Sequence, residues 1–598
     1  MRRLISLVLL CTLFASLRAT IPPVFGNEFE GKMMYDPLTR VYLTPQRILW
    51  QQGNITNSEI LLTASSGQAE LTGRNRCFLR NVAETDTAAL IFDFGKELHG
   101  GLQLVMAGGR REPSLVRIRF GESVGECCSQ TINNGEPQIG YSTDDHAKRD
   151  IIMEIPRDGS IEIGSTGFRF VRLDLLERNA TVTLREVRAI LRYRDLEYLG
   201  SFRCNDERLN RIWLTGAYTV HLNMQEYIWD GVKRDRCIWL GDMHPEVATI
   251  MNVFGANQII PSTLDRAVEQ FPLPSWMNGI SSYSMWYLII LHDWYMHAGD
   301  SAYICRHGDY VRGLIEQFAG LVDEDGTEHI EEKTKGSLKY FLDWPSSPNR
   351  EGVEAGYRAL LVWAMKDAQY LCDDVLCDTG HGRLAADVVT RLNRKVKPDH
   401  DLKQAAALMS IAGIADPRTE CEQVISVDGA RRFSTFYGYY MLEAEAMAGN
   451  WQFCLDVLRQ YWGAMLDKGA TTFWEDFNLD WLPNTGRIDE FTPAGMRDIH
   501  GDFGAYCYPG YRHSLCHGWA SGPTSWLTEH VLGFEVLKPG CRQLRIAPHL
   551  GDLEWAEGSF PTPYGSVQVR HERLPDGSVR TTILQRPDEV ECIIATDQ

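Results

Sequence analysis

Between about residues 205 and 531 the apolar residues recur at i, i+3 and i+4 in some eleven stretches, around 205–224, 244–256, 262–270, 283–298, 301–320, 354–374, 383–395, 402–412, 434–448, 451–467 and 518–531. In the first, Leu209, Ile212, Trp213, Ala217 and Val220 share a face, with Asn205 as the expected N-cap and Asp206 and Glu207 in the first turn. Loops rich in Gly, Pro, Asp and Trp separate the stretches, and no internal repeat of the solenoid kind is present. A helical block of this size predicts a barrel or toroid built from pairs of helices.

The flanks have a different period. Residues 116–120 and 168–173 alternate with period two, residues 90–95 are a short apolar run ending in a turn, and glycine pairs at Gly100-Gly101 and Gly108-Gly109 separate such runs. Many short strands with this spacing predict a β-sandwich before the helical block. After about residue 534 the β signal returns: residues 567–570 alternate, Pro575-Asp576-Gly577 forms a turn, and the strand pattern resumes at 579–584. The expected order is therefore a β-sandwich over 20–200, a helical domain over 201–533 and a small C-terminal β domain over 534–598.

Residues 1–19 read as a secretory signal peptide. Arg2 and Arg3 form a basic start, residues 4–14 an apolar core too short to span a bilayer, and Ala15, Ser16 and Ala19 supply small residues before a cleavage point expected after Ala19. The expected location is periplasmic or extracellular. No later apolar run reaches the roughly 20 residues of a membrane span. With 60 Lys+Arg against 79 Asp+Glu, the net charge is −19. Such a surface repels phosphate backbones and anionic membranes, which argues against nucleic-acid partners. The cysteines are scattered, with only Cys127-Cys128 adjacent and no Cys/His zinc spacing. No phosphate loop, dinucleotide glycine fingerprint, HExxH or GxSxG elbow is present, so no metal and no cofactor are expected.

Fourteen of the sixteen tryptophans lie between residues 205 and 530, several beside acids: Trp229-Asp230, Asp293-Trp294, Asp343-Trp344, Trp474-Glu475-Asp476 and Asp480-Trp481. Bulky helix packing accounts for part of this. The other reading is carbohydrate recognition, because a sugar offers an apolar face of C–H bonds and a rim of hydroxyls. The densest segment, residues 229–246, carries Asp230, Asp235, Asp242 and Glu246, with Arg234 and Arg236 between them. Glycosidic cleavage needs a proton donor on the leaving oxygen and a second carboxylate across the ring. Crowding acids together raises the pKa of one of them. Taken by spacing alone, the same segment is equally a solvated loop with local ion pairs.

The segment resembles the signature loop of glycoside hydrolase family 78, the α-L-rhamnosidases, at Asp230, Arg234, Asp235, Trp239, Gly241 and Asp242. Gly469, Ala470, Thr471, Thr472, Phe473, Trp474 and Glu475 are similar to a second family motif, and Ser514, Leu515, Cys516, His517 and Gly518 to a softer third. Residues 92–95 and 167–171 resemble the family's accessory sandwich. The resemblance implies an (α/α)6 barrel and an inverting exo-glycosidase acting on rhamnose-containing glycans or glycosides. By position it assigns the general acid to Asp235 and the general base to Glu475. It implies that Asp230 and Asp242 bind sugar hydroxyls and that Arg234 orients a carboxylate. Trp239, Trp286 and Trp344 would wall the rhamnose methyl, and His517 would donate to a ring hydroxyl.

One departure stands out: the family usually carries Glu at the acid position, and this chain carries Asp235. Aspartate is one methylene shorter, so three outcomes are open. Asp235 serves from a shifted loop, Glu246 takes over, or the protein is inactive or altered in specificity. Gly231-Val232 also replace the usual Cys-Pro. Two further readings are an exo-glycosidase for another deoxy sugar or a uronic acid, with Lys233, Arg234 and Arg236 reading a carboxylate, and a non-catalytic glycan-binding relative.

Overall fold

Strands Ala89–Ala107, Asp158–Leu175 and Ala180–Tyr193 form the spine of a nine-stranded antiparallel sheet. The computed structural model describes residues 23–25, 32, 34–70, 75–83, 86–108, 113–129, 132–133, 136–137, 147–330, 340–506 and 509–595. The expected signal peptide at 1–19 lies outside the described residues.

On one edge Ala89–Ala107 pairs with Asp158–Leu175; on the other it pairs first with Arg47–Gln52 and further along with Ala180–Tyr193. This change of partner, with register shifts between Ile163 and Thr166 and between Phe168 and Phe170, folds the sheet over itself, as bulges do. Phe92, Leu104, Ile118, Phe120, Phe168 and Val171 fill the space between. Gly100 permits the fold: its φ is 147°, and a Cβ there would come 2.0 Å from the Ile190 carbonyl oxygen. After strand Ser114–Gly121 a short helix, Val124–Cys128, is capped by Ser123, whose hydroxyl accepts from the Glu126 amide.

The helical block closes into a ring among the described residues. Met243–Phe254 packs on Ser281–Ala298, which packs on Arg350–Tyr370, then Lys403–Ile411, Gly438–Met447, Gly522–Trp526 and back to Met243–Phe254. These inner helices are buried nearly all round; Leu288, Ile289, Ile290 and Leu291 are consecutive and inaccessible. Glu207–Asn223, Ser301–Ala319, Thr379–Leu392 and Trp451–Asp467 pack outside them. The architecture is an (α/α)6 barrel flanked by β domains. The first outer helix is capped one residue later than expected. The Asp206 carboxylate accepts from the amides of Arg208 and Leu209, while Asn205 Oδ1 accepts from the Glu554 amide at 2.9 Å.

The C-terminal region holds two small sheets. Phe534–Lys538, Gln543–Ile546 and Glu591–Ile594 form one. The other comprises Trp555–Thr562, Gly565–Arg573, Val579–Gln585 and, from before the barrel, Ser201–Cys204. Cys204 pairs with Ala556 and Ser201 with Ser559, so residues 201–204 are a strand of the C-terminal sheet. The described cysteines are all free thiols.

Candidate active site

The loop before Met243–Phe254 is closed at its neck. The Asp230 amide donates to the Cys237 carbonyl at 3.2 Å, and the Cys237 amide returns a bond to Asp230 Oδ1 at 3.0 Å. At its tip Asp235 and Arg236 both take left-handed backbone, with φ of 54° and 55°. Aspartate is among the few L residues that visit this region with any ease, because its short polar side chain can bond locally. The Asp-for-Glu departure therefore coincides with a backbone that a longer, unbranched acid suits less well.

Two further segments lace to this loop. The Glu475 amide donates to the Ser514 carbonyl at 3.0 Å, and the Ser514 amide donates to Glu475 Oε2 at 3.1 Å. The His517 amide donates to the Phe473 carbonyl at 3.0 Å, and the Gly518 amide to the Asp230 carbonyl at 2.8 Å. Thr435 Oγ1 and Trp519 Nε1 both donate to the Glu475 carbonyl. The three resembling motifs thus meet in one place.

They surround a cavity of about 330 Å3, lined by Asp230, Arg234, Asp235, Trp239, Asp242, Trp344, Glu475 and His517, with Asn278, Gly279, Ile280, Tyr283, Phe341 and Trp519. The Arg234 guanidinium lies between two carboxylates: Nη2 donates to Glu475 Oε1, and Nη1 to Asp235 Oδ1 at 3.4 Å. Asp235 Oδ2 accepts from Trp239 Nε1 at 3.1 Å, and Tyr283 donates to Asp242 Oδ1 at 3.2 Å. His517 Nε2 is 3.7 Å from Glu475 Oε1, 3.8 Å from Asp230 Oδ2 and 3.9 Å from Asp242 Oδ2.

Burial governs the protonation of this cluster. It pushes Glu475 above the ordinary carboxylate range, against the pull of Arg234. It raises Asp230 and Asp242 well above that range too, with neighbouring carboxylates adding to the effect. It drives His517 well below the usual imidazole range, helped by Arg234, so the ring is neutral. A neutral histidine and protonated carboxyls are hydrogen-bond partners that both give and receive, which suits a ring of hydroxyls. Trp239, Tyr283, Phe341, Trp344 and Trp519 supply apolar walls; Trp239 meets Tyr283 edge-on, and Trp344 meets Phe341 likewise.

The structure brings eight of the nine sequence-expected site residues together and leaves out Trp286. That residue is 1% exposed and packs against both His244 and Tyr440, at 5.2 and 5.1 Å, inside the barrel. It follows Tyr283 by three residues on the same helix, about 4.5 Å along the axis. That carries it out of the cavity and into the packed core. Tyr283 stands on the lining instead. Glu246, the alternative acid, is also off the lining: it is fully buried in the first turn of Met243–Phe254, packed against Gly518. Tyr283, Phe341 and Trp519 were missed by sequence reasoning. Trp519 stands two residues beyond His517 and Phe341 three before Trp344, so proximity to the expected residues was the available signal.

A larger cavity, about 620 Å3, opens against the C-terminal sheets and holds Glu443, Glu529 and His530 with ligating atoms within 4.8 Å of one another. These groups already serve each other: His530 Nε2 is 2.9 Å from Glu443, and Asn252 donates to Glu529 at 2.8 Å.

Residues 197–360 match the family described as the bacterial alpha-L-rhamnosidase 6 hairpin glycosidase domain, and residues 533–595 match the bacterial alpha-L-rhamnosidase C-terminal domain. An alpha-L-rhamnosidase from Alteromonas sp. (strain LOR) is 23% identical over 93% of this chain and 62% of its own length, so the chain spans about three-fifths of that relative. Among solved structures, the GH78 family rhamnosidase of Bacillus sp. GL1 superposes with a TM-score of 0.67 at 22% identity, covering 88% of this chain and 55% of that one. The rhamnosidase from Klebsiella oxytoca with rhamnose bound gives 0.61 at 18% identity, covering 85% of this chain and 98% of that one. The chain thus carries, in order, matches to both bacterial α-L-rhamnosidase domains, on a fold it shares with the GH78 rhamnosidase of Bacillus sp. GL1.

Proposed function

We propose that the protein is an exo-acting, inverting α-L-rhamnosidase that removes terminal α-L-rhamnosyl residues from glycans or glycosides. The observation that carries this reading is the Arg234 guanidinium between Asp235 and Glu475 at the wall of one small aromatic cavity. Asp235 is the general acid: its proton passes to the glycosidic oxygen as the bond to the anomeric carbon breaks. Glu475 is the general base: it takes a proton from a water that attacks the anomeric carbon from the opposite face, giving the β-anomer. The ion pair with Arg234 favours the charged form of Glu475 against its burial, which a base requires. Asp230, Asp242 and His517 exchange hydrogen bonds with the ring hydroxyls. Trp239 and Trp344, with the added aromatics, pack on the C6 methyl and the C–H face. A pocket of about 330 Å3 has the size for one terminal sugar rather than a chain interior. The basic, apolar and small-residue order of residues 1–19 supports export from the cytoplasm.

The test is hydrolysis of 4-nitrophenyl α-L-rhamnoside followed by NMR from the first turnovers. Inversion predicts β-L-rhamnose as the first product; α-L-rhamnose first would reverse the mechanism. Glu475→Gln should lose kcat by about 10²–10⁴, the scale of general acid–base catalysis. Near-normal turnover in that variant would remove Glu475 from the role.

A further inference from the structure

The loop residue next to Arg234 has no place in the chemistry above, yet it is more deeply buried. Lys233 is 2% exposed. Its ammonium donates to the main-chain carbonyls of Tyr511 and of His513, the latter at 2.8 Å, and lies 3.2 Å from Glu122 and 3.1 Å from Glu126. Both glutamates belong to the sandwich domain, where the strand Ser114–Gly121 gives way to the short helix Val124–Cys128. Arg149, another sandwich residue, closes the cluster on Glu126 at 2.8 Å.

Glu122 reaches the other catalytic segment. Its Oε2 accepts from the Leu515 amide at 2.7 Å and its Oε1 from the Ser514 hydroxyl at 3.3 Å. Ser514 in turn donates its amide to Glu475. One buried cation–carboxylate pair therefore holds the chain immediately before Arg234-Asp235 and the chain that orients Glu475. Burying such charges gains little stability over apolar packing, and an attested use of buried ion pairs is to specify geometry.

We infer that Lys233 and Glu122 are positioning residues, through which the sandwich domain fixes the spacing between the two catalytic carboxylates; this rests on the reading of Asp235 as acid and Glu475 as base. The sandwich is then part of the catalytic apparatus rather than an appendage that brings the enzyme to its substrate.

The test uses the full chain carrying Lys233→Met, and Lys233→Met with Glu122→Gln, which removes the two charges together and guards against misfolding of the single variant. Hydrogen exchange should rise in residues 230–242 and 511–517 together, with the rest of the barrel unchanged. On 4-nitrophenyl α-L-rhamnoside the double variant should keep the parental Tm and KM but lose kcat by about 10–100-fold, the scale of an ångström-level misplacement. The limb of its pH profile that reports the base should also move. Parental exchange in either segment, or parental kcat and pH profile in the double variant, would overturn the proposal. A parent chain that hydrolyses no rhamnoside would count against the catalytic reading, and the exchange result would still decide whether the pair ties the two segments.

Discussion

Trp239 donates its indole N–H to Asp235 Oδ2 at 3.1 Å, across four residues of a loop whose tip is left-handed. The aromatic wall and the proposed acid are thus one unit: the ring that lines the cavity also sets which way the carboxyl points.

Removing the proton and removing its orientation should have graded effects. Asp235→Asn should abolish activity on natural rhamnosides, whose alkoxide leaving groups need protonation. A dinitrophenyl rhamnoside should suffer far less, because its departure needs little acid help. Trp239→Phe keeps the wall and deletes the donor, so it should show the same leaving-group dependence in weaker form. A loss that ignores the leaving group in both variants would mean Asp235 is not the acid.

Glu246 separates burial from catalysis. Both of its carboxyl oxygens are inaccessible and lack a hydrogen-bond partner, and burial, followed by Asp242 and Asp230, raises its pKa well above the ordinary range. The folded chain keeps this proton at pH values where the unfolded chain has released it, above about 4.3. Its contribution is thus to make stability fall as pH rises. Glu246→Gln cannot release that proton, so its Tm relative to the parent should rise between pH 5 and pH 8 and converge with it near pH 4, with kcat little changed. A Tm difference independent of pH would show that the buried group is not protonated as described.

Trp286 and Tyr283 should trade effects. Trp286→Ala empties a core stack and should cost about 3–5 kcal/mol of stability. Tyr283→Phe leaves the core filled and removes the donor to Asp242. It should raise KM for 4-nitrophenyl α-L-rhamnoside with little change in Tm. Thermal melts and steady-state kinetics on the two variants check both halves.

Export is checked by N-terminal sequencing of protein secreted from cells expressing the whole chain. A mature start near Thr20 is expected, and an intact Met1 on exported material would reject it.

Much of this was legible because the helix boundaries follow local periodicity and seven of the eight expected residues on the lining come from three short motifs. The limits have physical causes. Asn205 and Asp206 are both good caps, and only the tertiary bond from Glu554 decides that Asn205 is used elsewhere. Residues 201–204 are too short to declare a partner, which lies some 350 residues away. Trp286 and Tyr283 share one helical face, and periodicity does not say how deep the cavity reaches along it. The bond from Lys233 to Glu122 joins two domains and leaves no pattern in either sequence segment.

The pairing of Ser201–Cys204 with Trp555–Thr562 has a consequence for biosynthesis. The segment that leads into the barrel acquires its strand neighbour only after the last helix has left the ribosome. Closing a loop of that length is slow, because its entropy is lost before the contact rewards it. The C-terminal sheet therefore acts as a late clasp. A nascent chain stalled near residue 533 would hold every proposed catalytic group, with the entrance to its barrel still unfastened.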